Sequence, residues 1–144
     1  MNAAQDHYSD TLITEALKTA KTIALVGASP KPERPSYRVM QFLLDKGHRV
    51  IPVNPGLEGK QILGQTVYAS LSQIKERVHM VDIFRNSEAA GAVTDEALTL
   101  SPLPLTIWMQ LDVINEEAAN RATEKGLTPI MNRCPKIEYE RLGL

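Results

Sequence analysis

TIALVGASPKPERPSYR, residues 22–38, runs from an apolar segment through a glycine into a cationic, proline-rich loop and then into a helical pattern. This is the signature of a strand that turns sharply into a helix. Gly27 lets the backbone turn and approach a ligand with no Cβ in the way. Ser29 offers a hydroxyl. Ser36 stands where a helix exposes its unpaired N–H groups and the positive end of its dipole, and it is a possible N-cap. Lys31, Arg34 and Arg38 set three cations against the single Glu33, while Pro30, Pro32 and Pro35 stiffen the connection. Glycine, helix start and cations coincide, so the loop reads as an anion-binding turn; the plainer reading is a rigid, solvated connection.

Working outward, similar apolar runs recur: RVIPVN at 49–54, MVDIF at 80–84, LTIWMQ at 105–110 and TPIM at 128–131. The first, third and fourth of the five runs are nearly unbroken, as in strands buried on both faces of a parallel sheet. Helical patterns separate them. SYRVMQFLLDKG carries an apolar stripe through Val39, Met40, Leu43 and Leu44 and stops at Gly47. NSEAAGAVTDEALTL caps at Asn86 or Ser87, and NEEAANRATEKG opens on Asn115 with two glutamates and stops at Gly126. Leu12, Ile13, Ala16, Leu17 and Ala20 give a further amphipathic helix over 9–20, capped by Ser9 or Asp10. Alternating strands and helices predict an α/β protein with a three-layer Rossmann-like fold. Its sheet is mainly parallel, of about five strands, with helices on both faces. The span 55–79 is less regular and is expected to hold a loop and a short extra strand near Val67. One domain over 1–144 is expected, with 1–20 as an N-terminal helical extension.

The bulk numbers narrow the function. The chain has 144 residues, 43% hydrophobic and 23% charged, with a formal net charge of −1. That balance gives no global electrostatic argument for nucleic acid or a membrane, so an anion site must be built locally. A single cysteine, Cys134, permits no intramolecular disulfide. No apolar run reaches the ~20 residues of a membrane-spanning helix, and the start lacks the apolar centre of a signal peptide. A cytoplasmic location is the expectation.

In open parallel sheets, ligands sit beyond the carboxyl ends of the strands, near the point where strand order reverses. The candidates are therefore Gly27-Ala28-Ser29, Asn54-Pro55, Phe84-Arg85-Asn86, Gln110-Leu111 and Asn132-Arg133-Cys134. The dinucleotide fingerprint G-x-G-x-x-G is absent: the matching stretch is G-A-S-P-K-P, and Asn54 stands where a ribose-binding acid would. That argues against NAD, and the cations suit a ligand richer in phosphate. VGASPKPERPSYRV, VIPVNP, VDIFR, WMQLDVINEEAANRA and NRCPKIE, five blocks in order from residue 22 towards the C-terminus, together resemble the stand-alone CoA-binding proteins of the YccU type. Those proteins are similar to the CoA-binding domain of the succinyl-CoA synthetase α subunit. The resemblance implies a Rossmann-like fold with coenzyme A as the ligand across the strand ends. It places Gly27, Ala28 and Ser29 by the phosphates, with Lys31, Arg34 and Ser36 nearby. It sets Val53, Asn54 and Pro55 at the nucleotide end and Phe84 and Arg85 along the cleft. The residues agree, because a pyrophosphate and a 3′-phosphate suit a cationic loop at a helix start.

The sequence offers no evident catalyst. The synthetase uses a phosphorylated histidine in a further domain, and this chain is expected to lack one. His7, His48 and His79 read as solvated surface residues, the last two at the amino ends of their strands, away from the expected site. Cys134 follows the last strand near the cleft mouth, beside Arg133 and Lys136 and a helix start at Pro135, a setting that favours thiolate. It reads either as a small residue packed near the pantetheine arm or as a partner for the CoA thiol. Scattered histidines and one cysteine give no metal cluster. Trp108 and Met109 read as core. Asp82, inside an apolar run, is expected to be a paired, buried carboxylate at the edge of the sheet.

The leading expectation is a binding module for coenzyme A or acyl-CoA with no catalytic machinery of its own. The alternative is an NADP-linked or acyl-CoA-using enzyme that needs a partner subunit. A small-molecule ligand is the expected partner, with no nucleic acid and no membrane; a protein partner that reads ligand occupancy is open but not indicated.

Overall fold

The computed structural model describes residues 8–144, so His7 lies outside the described residues. Helix α1 (Asp10–Thr19) is capped by Ser9, whose hydroxyl accepts from the Leu12 N–H at 3.0 Å. Strand β1 (Thr22–Val26) leads through the proline-rich loop into α2 (Pro35–Asp45), and β2 (Arg49–Val53) follows. A hairpin of β3 (Gln61–Ile62) and β4 (Gln65–Thr66) precedes β5 (Met80–Ile83) and α3 (Ser87–Ala97). The chain closes with β6 (Thr106–Met109), α4 (Glu116–Glu124), β7 (Thr128–Ile130) and α5 (Pro135–Leu142). The five apolar runs thus become the five parallel strands, each ending within one residue of its expected limit.

The sheet order is β2-β1-β5-β6-β7, all parallel. An isolated parallel bridge joins Val53 to Tyr68 on the outer side of β2, where a further strand would lie. The full order is that of a doubly wound nucleotide-binding sheet whose third strand has shrunk to one residue pair. Val67, expected within that extra strand, lies between β4 and the Tyr68 bridge. The order reverses between β1 and β5, where consecutive connections leave in opposite directions. Both edge strands carry a proline, Pro52 in β2 and Pro129 in β7, where a missing N–H costs least.

Strand alternation divides the core into two layers. Ala24, Val26, Val81, Ile83, Ile107 and Met109 pack against the alanine-rich faces of α3 and α4. On the other side Ile23, Leu25, Met80 and Trp108 pack against α1, α2 and α5. Trp108 is fully buried, and its indole N–H donates to the Arg133 carbonyl at 2.9 Å. No helix among the described residues is long and apolar enough to cross a membrane.

Several local expectations are corrected. Helix α2 begins at Pro35, with Arg34 as its N-cap and no side-chain cap, so Ser36 lies inside the first turn. Proline fits there because its φ is already helical and its absent N–H would have had no partner. His48 and His79 do sit at the amino ends of β2 and β5, but they are half-buried and bonded rather than solvated. His48 Nδ1 donates to the Ala20 carbonyl at 2.5 Å, and Nε2 lies 2.6 Å from the Tyr139 hydroxyl, tying β2 to α5. His79 Nδ1 accepts from the Thr22 N–H at 3.1 Å. Burial, followed by the nearby Arg77 and Lys21, lowers its pKa and keeps that acceptor available.

Asp82 is neither paired nor at an edge. It lies on the central strand, between Leu25 and Trp108 in register, fully buried, and neither carboxylate oxygen has a hydrogen-bond partner. Burial pushes its pKa well above 3.8. The folded protein therefore holds a proton that the unfolded chain releases once the pH passes the ordinary carboxylate range. Stability contributed by that proton is full below pH 3.8 and is lost as pH rises towards the folded pKa. Each unit in that interval costs about 1.4 kcal/mol. Asp82→Asn removes the titration while keeping the shape. Its stability relative to wild type, from urea denaturation at pH 4 to 8, should rise with pH; parallel curves would contradict this account.

Candidate functional site

The site grows from the backbone at the end of β1. Gly27 adopts φ +93°, and a Cβ there would lie 2.3 Å from the Phe84 carbonyl oxygen and 2.9 Å from its carbon. Two requirements meet in this residue, left-handed backbone and contact with a neighbouring main chain. The Gly27 and Ala28 N–H groups both point at the Val53 carbonyl, at 3.0 and 3.3 Å, while Phe84 N–H donates to Val26 at 2.8 Å. The turns after β1, β2 and β5 are thereby pinned together at the reversal point of the sheet.

Asn54 completes the brace. Its Nδ2 donates to the Ala28 carbonyl at 2.9 Å, and its Oδ1 accepts from the Gly56 N–H at 2.9 Å. The residue in the place of a ribose-binding acid thus has its amide engaged in holding the glycine loop. Ser29 Oγ accepts from the Lys31 N–H at 3.2 Å, which leaves its hydroxyl proton available to a ligand. Arg38 is spent on the loop itself, with Nη2 donating to the Glu33 carbonyl at 3.1 Å. The side chains of Lys31 and Arg34 have no hydrogen bond or ion pair with the described residues and stand exposed beside the α2 N-terminus. Pro35 has no N–H, and the Tyr37 and Arg38 N–H groups return to the Arg34 carbonyl at 3.1 and 3.3 Å. Ser36, 5% exposed, lines the cleft, and its hydroxyl has no hydrogen bond to the described residues.

Two adjoining cavities open here. The first, about 330 Å³, is walled by Gly27, Ala28 and Ser29 from the loop, Arg34, Pro35 and Ser36 from the helix start, and Asn54 and Phe84 from the neighbouring turns. The second, about 450 Å³, shares Pro35 and Phe84 and continues between α2 and α5 past Val39, Arg85, Gln110, Val113 and Cys134. The first is lined about equally by polar and apolar groups and lies at a helix N-terminus; the second is lined mainly by apolar side chains. A larger cavity, about 490 Å³, lies at the opposite end of the sheet between α1 and the starts of β6 and β7. Its one charged wall residue is Glu15, so it lacks the cations of the first pair, and the α1 start on its wall is already capped by Ser9.

Of the twelve residues expected at the site, nine line this double cleft: Gly27, Ala28, Ser29, Arg34, Ser36, Asn54, Phe84, Arg85 and Cys134. Lys31 and Pro55 are exposed outside the walls, and Val53 is a core residue that acts through its carbonyl. The structure adds Pro35, Val39, Asp112 and Val113. Val39 was legible only as one member of an apolar stripe. Arg133 and Lys136, adjacent to Cys134 in sequence, turn towards aromatic rings: the Arg133 guanidinium lies 5.1 Å from the Tyr8 ring and Lys136 Nζ 5.9 Å from Phe42. Cys134 itself is the N-cap of α5, 7% exposed. Among the described residues no group of three or more His, Cys, Asp or Glu gathers at metal-binding distance.

The chain is similar to known proteins over most of its length. A model of the CoA binding domain matches residues 21–140. The Bacillus subtilis (strain 168) protein YneT, uncharacterized, is 38% identical over 128 residues, covering 88% of this chain and 91% of its own. A hypothetical protein from Pyrococcus horikoshii OT3 superposes with a TM-score of 0.89 at 39% identity, covering 96% of this chain and 95% of its own. The cell-free ID.343 structure from Thermus thermophilus gives 0.87 at 35% identity, covering 94% and 99%.

Gly27→Ala tests the brace. Left-handed strain and the backbone clash together should cost about 2–4 kcal/mol in urea denaturation. A loss below about 0.5 kcal/mol would mean that the close approach is not required.

Proposed function

The chain belongs to the CoA binding domain family, and from that membership we propose that it binds coenzyme A or acyl-CoA across the carboxyl ends of its parallel strands, as a binding module without catalytic machinery of its own. The observation that carries the reading is the junction of two unlike cavities at Phe84 and Pro35. Coenzyme A is a molecule of that kind, phosphates and nucleotide at one end and a largely apolar arm at the other.

In this reading the pyrophosphate lies on the Gly27-Ala28-Ser29 turn, where the α2 N-terminus, the Ser36 N–H and the Ser29 hydroxyl supply donors. Lys31 and Arg34 swing from solvent onto phosphate oxygens, the 3′-phosphate included, as charge-assisted hydrogen bonds. Asn54 and Pro55 border the nucleotide, and Val53 holds the turn through its carbonyl. Phe84 and Arg85 form the step between the two cavities, and Cys134 lies along the arm. The non-catalytic part is supported by His48 and His79, each committed to a structural hydrogen bond at the far end of the sheet.

Coenzyme A at one hundred times its Kd should stabilise the protein by about 2.7 kcal/mol, a rise of roughly 5–10 °C in Tm for a chain of this size. Lys31→Ala with Arg34→Ala should lower the affinity at least about tenfold, since charge-assisted bonds are each worth about 1.5–3 kcal/mol. NADPH at the same concentration should give a smaller shift. No shift with millimolar coenzyme A, or an equal shift with NADPH, would sink the proposal.

A further inference from the structure

One wall residue of the second cavity carries a polar atom that the fold leaves unanswered. Gln110 follows Met109 at the carboxyl end of β6, and its N–H donates to the Ile83 carbonyl at 3.2 Å. Its side chain is buried, with the residue 6% exposed, and Oε1 accepts no hydrogen bond. It lines the cavity together with Val39, Phe84, Val113 and Cys134. A buried amide oxygen without a donor is costly, and its neighbours here are mostly apolar. Once the Gln110 side chain turns its Oε1 towards the cavity, the lining suits a ligand segment that is mainly apolar, carries an N–H donor and reaches Cys134.

We propose that this cavity captures the pantetheine arm of coenzyme A covalently, with Gln110 accepting an amide N–H of the arm and Cys134 forming a mixed disulfide with its terminal sulfur. The inference rests on the reading of the cleft as a coenzyme A site. The co-reactant is a disulfide that contains coenzyme A. The Cys134 thiol gives its proton to solvent, and the resulting thiolate attacks the coenzyme A sulfur of that disulfide. The Cys134 Sγ–S bond forms as the incoming S–S bond breaks. The displaced thiolate leaves with the electron pair and is protonated from solvent. One disulfide replaces another, so no further oxidant is required. The phosphates held at the Gly27 loop give the exchange its selectivity by setting the arm's amide at Gln110, because a disulfide without phosphates brings its amides to Cys134 unanchored.

The test exposes reduced, purified protein to coenzyme A disulfide or, separately, to glutathione disulfide, followed by acid quench and intact-mass measurement. One coenzyme A adduct per chain is expected, reversed by dithiothreitol and absent in Cys134→Ser. It should form at least about tenfold faster than the glutathione adduct, and Gln110→Met should reduce that preference by about tenfold, the worth of one buried hydrogen bond. Equal rates for the two disulfides, or an unchanged preference in Gln110→Met, would overturn the inference. Thermal shifts with reduced coenzyme A separate the two levels. If wild type and Cys134→Ser both shift but wild type forms no adduct, covalent capture fails and reversible binding stands. If neither protein shifts, the binding reading fails and the capture falls with it.

Discussion

The close approach of Gly27 to the Phe84 carbonyl is the constraint from which the rest of the cleft follows. At the point where sheet order reverses, two turns must diverge while their main chains remain in contact, and at Gly27 a side chain would occupy the space of that carbonyl. Once the contact is made, Val53 and Asn54 brace the turn from the other side through three hydrogen bonds to Gly27 and Ala28. The start of α2 is then fixed relative to the β5 turn, and the two cavities meet across Phe84 and Pro35. A second or third glycine would serve closer approach elsewhere. Here prolines and an asparagine supply rigidity instead.

Much of this was legible in the sequence because burial on both faces leaves a plain mark. TIALV, MVDI and TIWM are apolar at successive positions since each faces a helical layer on either side, and their limits follow from where that pattern breaks. The cap at Asn115 was equally plain and that at Asn86 was one of two on offer, each side chain accepting from an N–H three residues on. The hairpin at 61–66 escaped, because two-residue strands are too short to show a period. Its turn, Leu63-Gly64, has φ +50° and +79°, with only the glycine as a sequence cue.

The site was less legible for a different reason. Residue type shows what a side chain offers, not what has already claimed it. Arg38 and Asn54 have the chemistry of ligand-binding residues, yet the loop consumes both. Arg133 and Lys136 stand beside Cys134 in the chain and against Tyr8 and Phe42 in space. Asp82 is the reverse case, a group with strong chemistry and no partner, whose neutral form the core enforces. Gln110 was legible as a strand-end candidate after LTIWM, but only the fold shows that its amide oxygen is buried without a partner. Tertiary context, which no local pattern encodes, decides each of these.

The prolines in the two outermost strands reach beyond local geometry. A sheet grows between molecules when a neighbour finds a continuous row of amide donors and acceptors along an open margin. Pro52 removes one amide donor from β2, where Tyr68 already occupies part of the rim, and Pro129 interrupts the shorter β7 at its middle residue. Neither margin offers a second copy an unbroken template. Association through a shared, extended sheet is thereby discouraged.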